Sequence, residues 1–247
     1  MTEKDYEQVK NAFDSYYQSY QDISDDIRHK YDHSYRVAHL MEMIAKRLGY
    51  LDSDIILART IGLLHDIGRF EQLKQTKSFK DKKFDHASYA ITYLFDLGHI
   101  RDFVSDDRYD TIIKEAIDHH SRYALEGDIS EDALPFCKLI RDADKIDIYE
   151  VCAHYYPYYF DGNITPSIKK EFESEKAIHN ENHKTKSDSV IRMMAMLYDF
   201  NYDESFDILV ETDNFGFWAS TVEVAPAAEE EFRQYLNKCY QKIERGV

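Results

Sequence analysis

Histidine and aspartate recur at positions where the surrounding sequence is apolar. In Ile61-Gly62-Leu63-Leu64-His65-Asp66-Ile67-Gly68-Arg69-Phe70 two adjacent ligand-type side chains interrupt a greasy run. Burying an imidazole and a carboxylate there is costly unless something neutralises and binds them. A divalent metal does both, because a neutral imidazole nitrogen and a carboxylate oxygen are good ligands for Zn, Fe, Mn or Ni. The same pattern returns elsewhere. His33 stands in His33-Ser34-Tyr35-Arg36-Val37-Ala38, His86 in Phe84-Asp85-His86-Ala87-Ser88, His119-His120 after Ala116-Ile117-Asp118, and Asp144 in Arg141-Asp142-Ala143-Asp144-Lys145. A buried His or Asp left unsatisfied costs about 1–3 kcal/mol. One shared metal centre would satisfy all of them together.

The elements that must position these residues read as helices. Residues 2–22 carry Tyr6, Val9, Phe13, Tyr16, Tyr17 and Tyr20 at helical spacing, an amphipathic helix packed on the body. His33 opens the next helix, whose inner stripe is Val37, Leu40, Met41, Ile44 and Leu48 and which Gly49 stops. Ser53 caps a third helix with Leu57, Ala58, Ile61 and Leu64 inside, and His65 falls on that stripe four residues after Ile61. Residues 71–83 read as a Lys-rich loop, with 74–83 a candidate lid. A helix over 84–97 places His86 four residues before the inner Ala90 and ends at Gly98. Ser105 caps the helix that leads to His119-His120, and His120 shares the face of Ala116 and Ile117. The helix after Ser130, with Pro135 in its first turn, brings Asp144 inward four residues after Ile140. Stripes at 190–200, 204–210 and 227–243, separated by prolines, make the remainder helical as well. The expectation is an all-α chain: a single domain over 1–247, with a core at about 28–150 and a helical extension over 151–247.

Composition agrees and bounds the function. Only 8 Gly and 4 Pro in 247 residues favour long helices over a turn-rich β fold. A formal net charge of −16 disfavours an extended nucleic-acid partner or an anionic membrane, while a small phosphorylated substrate fits one locally cationic cleft. Cys137, Cys152 and Cys239 are few, widely spaced and outside any CxxC motif, which suits a reducing compartment. No apolar leader follows Met1 and no run of about 18 apolar residues occurs, so the expectation is a cytoplasmic protein, of unknown oligomeric state.

His33 in HSYRVA, His65-Asp66 in LLHDIGR and Asp144 in LIRDADKID, in the order H…HD…D, resemble the HD-domain metal-dependent phosphohydrolases over roughly residues 28–150. His86 in FDHASYA and His120 in AIDHHSRY resemble the extra ligands of members that hold two metals, in which the HD carboxylate bridges. The resemblance implies that His33, His65, Asp66 and Asp144 hold a first divalent ion and that Asp66, His86 and His120 hold a second. His119 stays open as an additional or alternative ligand. The ion is Fe, Mn, Ni, Co, Zn or Mg, one or two per chain. The implied reaction is hydrolysis of a phosphomonoester or phosphodiester of a small nucleotide-like substrate by metal-activated water, in which Asp66 and Arg69 are the catalytic candidates. Arg69, Arg36 and Lys145 are candidates for gripping phosphate, and Arg36 or Arg141 could instead support a carboxylate ligand. Two alternatives stand beside this one, a di-iron oxygenase of the same fold and a module that senses a nucleotide without cleaving it. The Tyr155–Phe160 aromatic run reads as packing for the C-terminal helices, with base stacking as the second reading.

Overall fold

Several helix starts in this chain are set by small polar side chains that accept from exposed backbone N–H groups. Thr2 caps α1 (Glu3–Gln18) in a reciprocal box with Asp5. Ser24 caps α2 (Asp25–Arg47), whose first turn carries Asp25 and Asp26 at the positive end of the helix dipole. The second helix therefore begins eight residues before His33, which lies in its middle and not at its start. Gly49 ends that element at φ +74, and Tyr50 N–H returns to the Ala45 carbonyl. The computed structural model describes residues 1–20, 24–80, 84–179 and 182–247.

The third helix, α3 (Asp52–Leu64), starts at an N-cap of Leu51, so Ser53 sits inside it and is not its cap. Then α4 (Ile67–Thr76) follows directly and makes residues 71–76 of the expected 71–83 loop helical. Its apolar residues Ile67, Phe70 and Leu73 are buried, and that face outweighs the Lys- and Gln-rich exterior. Of the candidate lid, residues 74–76 are helical and 81–83 lie outside the described residues. The fifth helix, α5 (His86–Ile91), is capped by Asp85 and passes into a π-helical turn over Thr92–Asp96. After α6 (Ile100–Phe103), Asp106 and not Ser105 caps the 3₁₀ turn Asp107–Tyr109 that leads into α7 (Asp110–His119). The long α8 (Leu134–Tyr155) holds Pro135 in its first turn, as expected.

The remaining elements are β1 (Tyr159–Phe160), α9 (Pro166–Glu173), α10 (Lys186–Ala195), α11 (Asp203–Thr212), α12 (Asn214–Ser220), β2 (Glu223–Val224) and α13 (Glu229–Arg245). The chain is all-α, and among the described residues the two-residue strands β1 and β2, paired in parallel, are the sole sheet. No described helix is long and apolar enough to cross a membrane.

The chain forms two compact units, Met1–Ala143 and Asp144–Val247, with the boundary inside α8. In the first unit α2 and α3 pack closely because Gly62 lacks a side chain. A Cβ there would lie 2.7 Å from Ala38 Cα. The N-terminal helix braces the same unit through rings: Phe70 of α4 meets Phe13, Tyr16, Tyr17 and Tyr20 at centroid distances of 5.7–6.3 Å. Tyr31 and Tyr35 of α2 both donate to Asp14 Oδ1, at 2.8 and 2.6 Å. In the second unit, Trp218 is fully buried against Tyr149, Tyr158 and Phe215. Asp188, also fully buried, accepts from Thr165 Oγ1 at 2.6 Å and from the N–H groups of Thr165, Lys184 and Thr185. Burial alone would raise its pKa, but the Thr165 hydroxyl and those N–H groups outweigh it and hold the carboxyl below the usual range.

Gly62→Ala should destabilise the protein by about 1–3 kcal/mol, read as a lower denaturation midpoint at unchanged slope. Asp188 contributes stability that is complete above the ordinary Asp pKa of about 3.9 and is lost as pH falls through its depressed folded value. Asp188→Asn should therefore lower stability at neutral pH by about 1–3 kcal/mol. It should also flatten the loss of stability on acidification, as followed by urea melts at pH 7 and pH 3.

Candidate metal centre

Asp66 is the N-cap residue of α4, and its backbone lies at φ −103, ψ 18, between the ends of α3 and α4. This short corner turns the His65-Asp66 pair inward, and both residues are buried. Gly68 lets α5 approach the first turn of α4. A Cβ on Gly68 would meet the His86 carbonyl oxygen at 2.1 Å, so the two chains can touch there only with glycine.

Around the Asp66 carboxylate four imidazoles converge, one each from α2, the end of α3, α5 and the end of α7. His33 Nε2 and His65 Nε2 lie 3.5 and 3.6 Å from Oδ2. His86 Nε2 and His120 Nε2 lie 3.3 and 3.5 Å from Oδ1. Each oxygen thus faces one pair of rings. Neighbouring rings stand about 5 Å apart at steep angles, 5.2 Å for His33–His65 and 5.1 Å for both His65–His120 and His86–His120. All four histidines are buried.

Ring orientation is fixed from behind. His65 Nδ1 is 2.7 Å from the Gly62 carbonyl and His120 Nδ1 is 2.6 Å from the Ile117 carbonyl, each three residues earlier. A carbonyl only accepts, so Nδ1–H donates, and in the neutral rings Nε2 carries a lone pair. Those lone pairs point at an anionic carboxylate, and the Nε2 atoms of His86 and His120 are 3.1 Å from each other. Lone pairs facing a carboxylate repel it unless a proton or a cation lies between. This donor set fits a divalent metal, with nitrogen and oxygen donors and backbone acceptors that orient the rings. Ligand atoms of His65, Asp66 and His120 all lie within 4.8 Å of one another.

Two cations also reach the carboxylate. Lys30 Nζ is 2.7 Å from Oδ2 and Arg69 Nε is 3.5 Å from Oδ1. Burial pushes the Asp66 pKa up, but the positive charge of Lys30 outweighs it and holds the carboxyl well below the usual carboxylate range. Sequence reading missed Lys30. The signal was its place three residues before His33 on one helical face, hidden because α2 was started too late. Arg69 also donates to Gln72 Oε1 at 2.7 Å and to the Phe79 carbonyl at 3.1 Å. Gln72, buried and equally unforeseen, in turn donates to the Phe84 carbonyl, two residues before His86.

His119, Arg141, Arg36, Asp144 and Lys145 are buried or half-buried. His119 is buried, and its Nδ1 donates to the Glu115 carbonyl at 2.9 Å; of the adjacent pair, His120 is the one that meets Asp66. Arg141 is buried and donates to the carbonyls of His119, Arg122 and Tyr123, so it clamps the chain that leaves α7. Arg36 lies half-buried one turn after His33. Asp144 lies half-buried in the middle of α8 as the first residue of the second unit. Lys145, expected to grip substrate, pairs with Asp199 Oδ2 at 2.7 Å and donates to the Asp199 carbonyl.

Compared with known families, residues 31–150 match the HD domain model. The chain carries an HD domain. That match places it in the HD metal-dependent phosphohydrolase superfamily, whose members are generally hydrolases although some are non-catalytic. The span contains His33, His65, Asp66, His86, His120 and Asp144. No curated protein and no solved structure matches the chain.

Lys30→Met should leave the Asp66 carboxylate short of a cation in metal-free protein and lower its stability by about 1–3 kcal/mol. Added Mn²⁺ should close most of that gap, because it binds the folded state at the same carboxylate. Thermal melts of both proteins in chelator and in metal read this directly; an equal deficit in both would mean that Lys30 acts by packing.

Proposed function

We propose that the HD domain of this chain is a metal-dependent phosphohydrolase with a two-ion centre, acting on the phosphoester of a small nucleotide-like substrate. The observation that carries it is the division of labour at Asp66. Oδ2 faces His33 and His65, while Oδ1 faces His86 and His120. A carboxylate with a separate pair of nitrogen donors on each oxygen is built to bridge two ions. Asp144 completes the first set by its place in the family pattern.

When bound, divalent ions at this centre supply Lewis acidity, which acidifies water and neutralises phosphoryl charge. The chain supplies position and charge. The Nδ1 hydrogen bonds of His65 and His120 fix both rings before any ligand arrives, so little reorganisation remains. Lys30 and Arg69 put two positive charges beside the carboxylate in a protein whose net charge is −16. Arg69, 15% exposed and with its Nη1 held by Gln72 and the Phe79 carbonyl, is the candidate cation for a phosphoryl oxygen. The preference for a nucleotide rests on the family resemblance and on the smallness of a substrate that an acidic surface admits.

Protein purified without an affinity metal should contain about two ions per chain and release phosphate from members of a nucleotide panel under Mn, Fe(II), Ni or Co. Asp66→Ala should lose both metal and activity. His86→Ala with His120→Ala should halve the metal content by elemental analysis. Full occupancy in Asp66→Ala would refute the assignment, and unchanged stoichiometry in the double variant would remove those two histidines from it. Metal without phosphate release would move the weight to oxygen chemistry or to sensing.

A further inference from the structure

The second unit contains a cavity of about 690 Å³ that the metal centre does not explain. Its lining is Tyr156, Pro157, Tyr158, Tyr159, Lys186, Ser189, Arg192 and Glu223, all within Asp144–Val247. Lys186, Ser189 and Arg192 come from successive turns of α10 and form one i, i+3, i+6 ridge along its surface. Tyr156 and Tyr158 come from the chain between α8 and β1, and Tyr159 opens β1. Glu223 opens β2, where its N–H pairs with the Tyr158 carbonyl at 3.0 Å. Both sides of the cavity are anchored. Asp188 and Thr185 form the capping box that starts α10, and the Tyr158 ring rests edge-on against buried Trp218 at 5.5 Å.

Two features mark this cavity as a ligand site. The first is Arg192. Its Nε is buried with no hydrogen-bond partner among the described residues, and its Nη2 meets only the Met193 sulfur at 3.9 Å. A guanidinium without an oxygen partner is an unsatisfied donor set. The second is the company it keeps. Lys186 Nζ stands 5.3 Å from the Tyr159 ring centroid. Two cations therefore face the cavity against one lining carboxylate, in a chain with 47 acidic and 31 basic residues.

We propose that this cavity binds a nucleoside monophosphate. Arg192 and Lys186 match the phosphate dianion, and the Ser189 hydroxyl adds a donor. The exposed Tyr156 ring and the Tyr159 ring offer faces on which a base can stack. Glu223, which would repel a bare anion, accepts from sugar hydroxyls or base N–H groups and so selects a nucleoside over inorganic phosphate. The volume is in the range of small-molecule sites. The Tyr156 side of the cavity is remote from the carboxylate of α8: it lies 12 residues after Asp144, and 11 helical steps to Tyr155 already span about 16 Å. This inference stands whether or not the HD domain hydrolyses phosphoesters.

The test is calorimetric titration of the full-length protein in chelator with AMP, GMP, CMP and UMP, using adenosine and inorganic phosphate as fragments. At least one monophosphate should bind, and both fragments should bind more weakly. Lys186→Ala and Tyr156→Ala, both at exposed positions, should melt like the unaltered protein and weaken binding on the order of tenfold. Arg192→Met should weaken it further, and Asp66→Ala should leave it unchanged. Absence of binding by all four nucleotides overturns the proposal. So does binding that Asp66→Ala abolishes while Lys186→Ala and Tyr156→Ala preserve it, or inorganic phosphate binding as tightly as the nucleotides.

Discussion

One buried carboxylate organises the first unit. Asp66 is almost wholly removed from solvent, and a lone ion there would be untenable. Everything near it answers that problem: four imidazoles from four elements, a lysine from α2 and an arginine from its own helix. The neighbouring packing follows from the same need. Gly62 brings α3 against α2 so that His65 and His33 face one oxygen, and Gly68 brings α5 against α4 so that His86 reaches the other. The contacts that stabilise this carboxylate are the same ones that could hold a metal.

Much of this was legible in residue types and spacing. The ligand-type residues sit on apolar stripes of period 3.6, so their inward direction followed from the helix period alone. The H…HD…D order then pointed to a known chemistry. The choice of His120 over its neighbour is the cleanest instance. Stripe phase with Ala116 and Ile117 put it inward, and its Nε2 does meet Asp66, while His119 turns to the Glu115 carbonyl.

Boundaries were read less well, for identifiable reasons. Ser24 was overlooked as the cap of α2, and that placed Lys30 outside the helix and out of view. The polar exterior of α4 concealed the buried set Ile67, Phe70 and Leu73. Competing caps, Ser53 against the Leu51 start and Ser105 against Asp106, are separated by tertiary context and not by side-chain chemistry. Lys145 illustrates the same limit, because its partner Asp199 is 54 residues away and nothing local announces it. Gln72 and Arg141 act through backbone carbonyls of distant segments, which sequence spacing does not encode.

The rings of His65 and His120 are aimed by main-chain carbonyls of Gly62 and Ile117. Every residue type carries such a carbonyl, so no substitution deletes the acceptor itself. The aim of these two rings is therefore sheltered from most point mutations at the positions that hold them. Its weak spot is steric: Gly62 supplies the carbonyl for His65 and also the bare surface against Ala38. A side chain there would shift the carbonyl by moving the helix. Mutational sensitivity should accordingly gather at the seam between α2 and α3, one turn before the histidine, more than around the rim of the cluster.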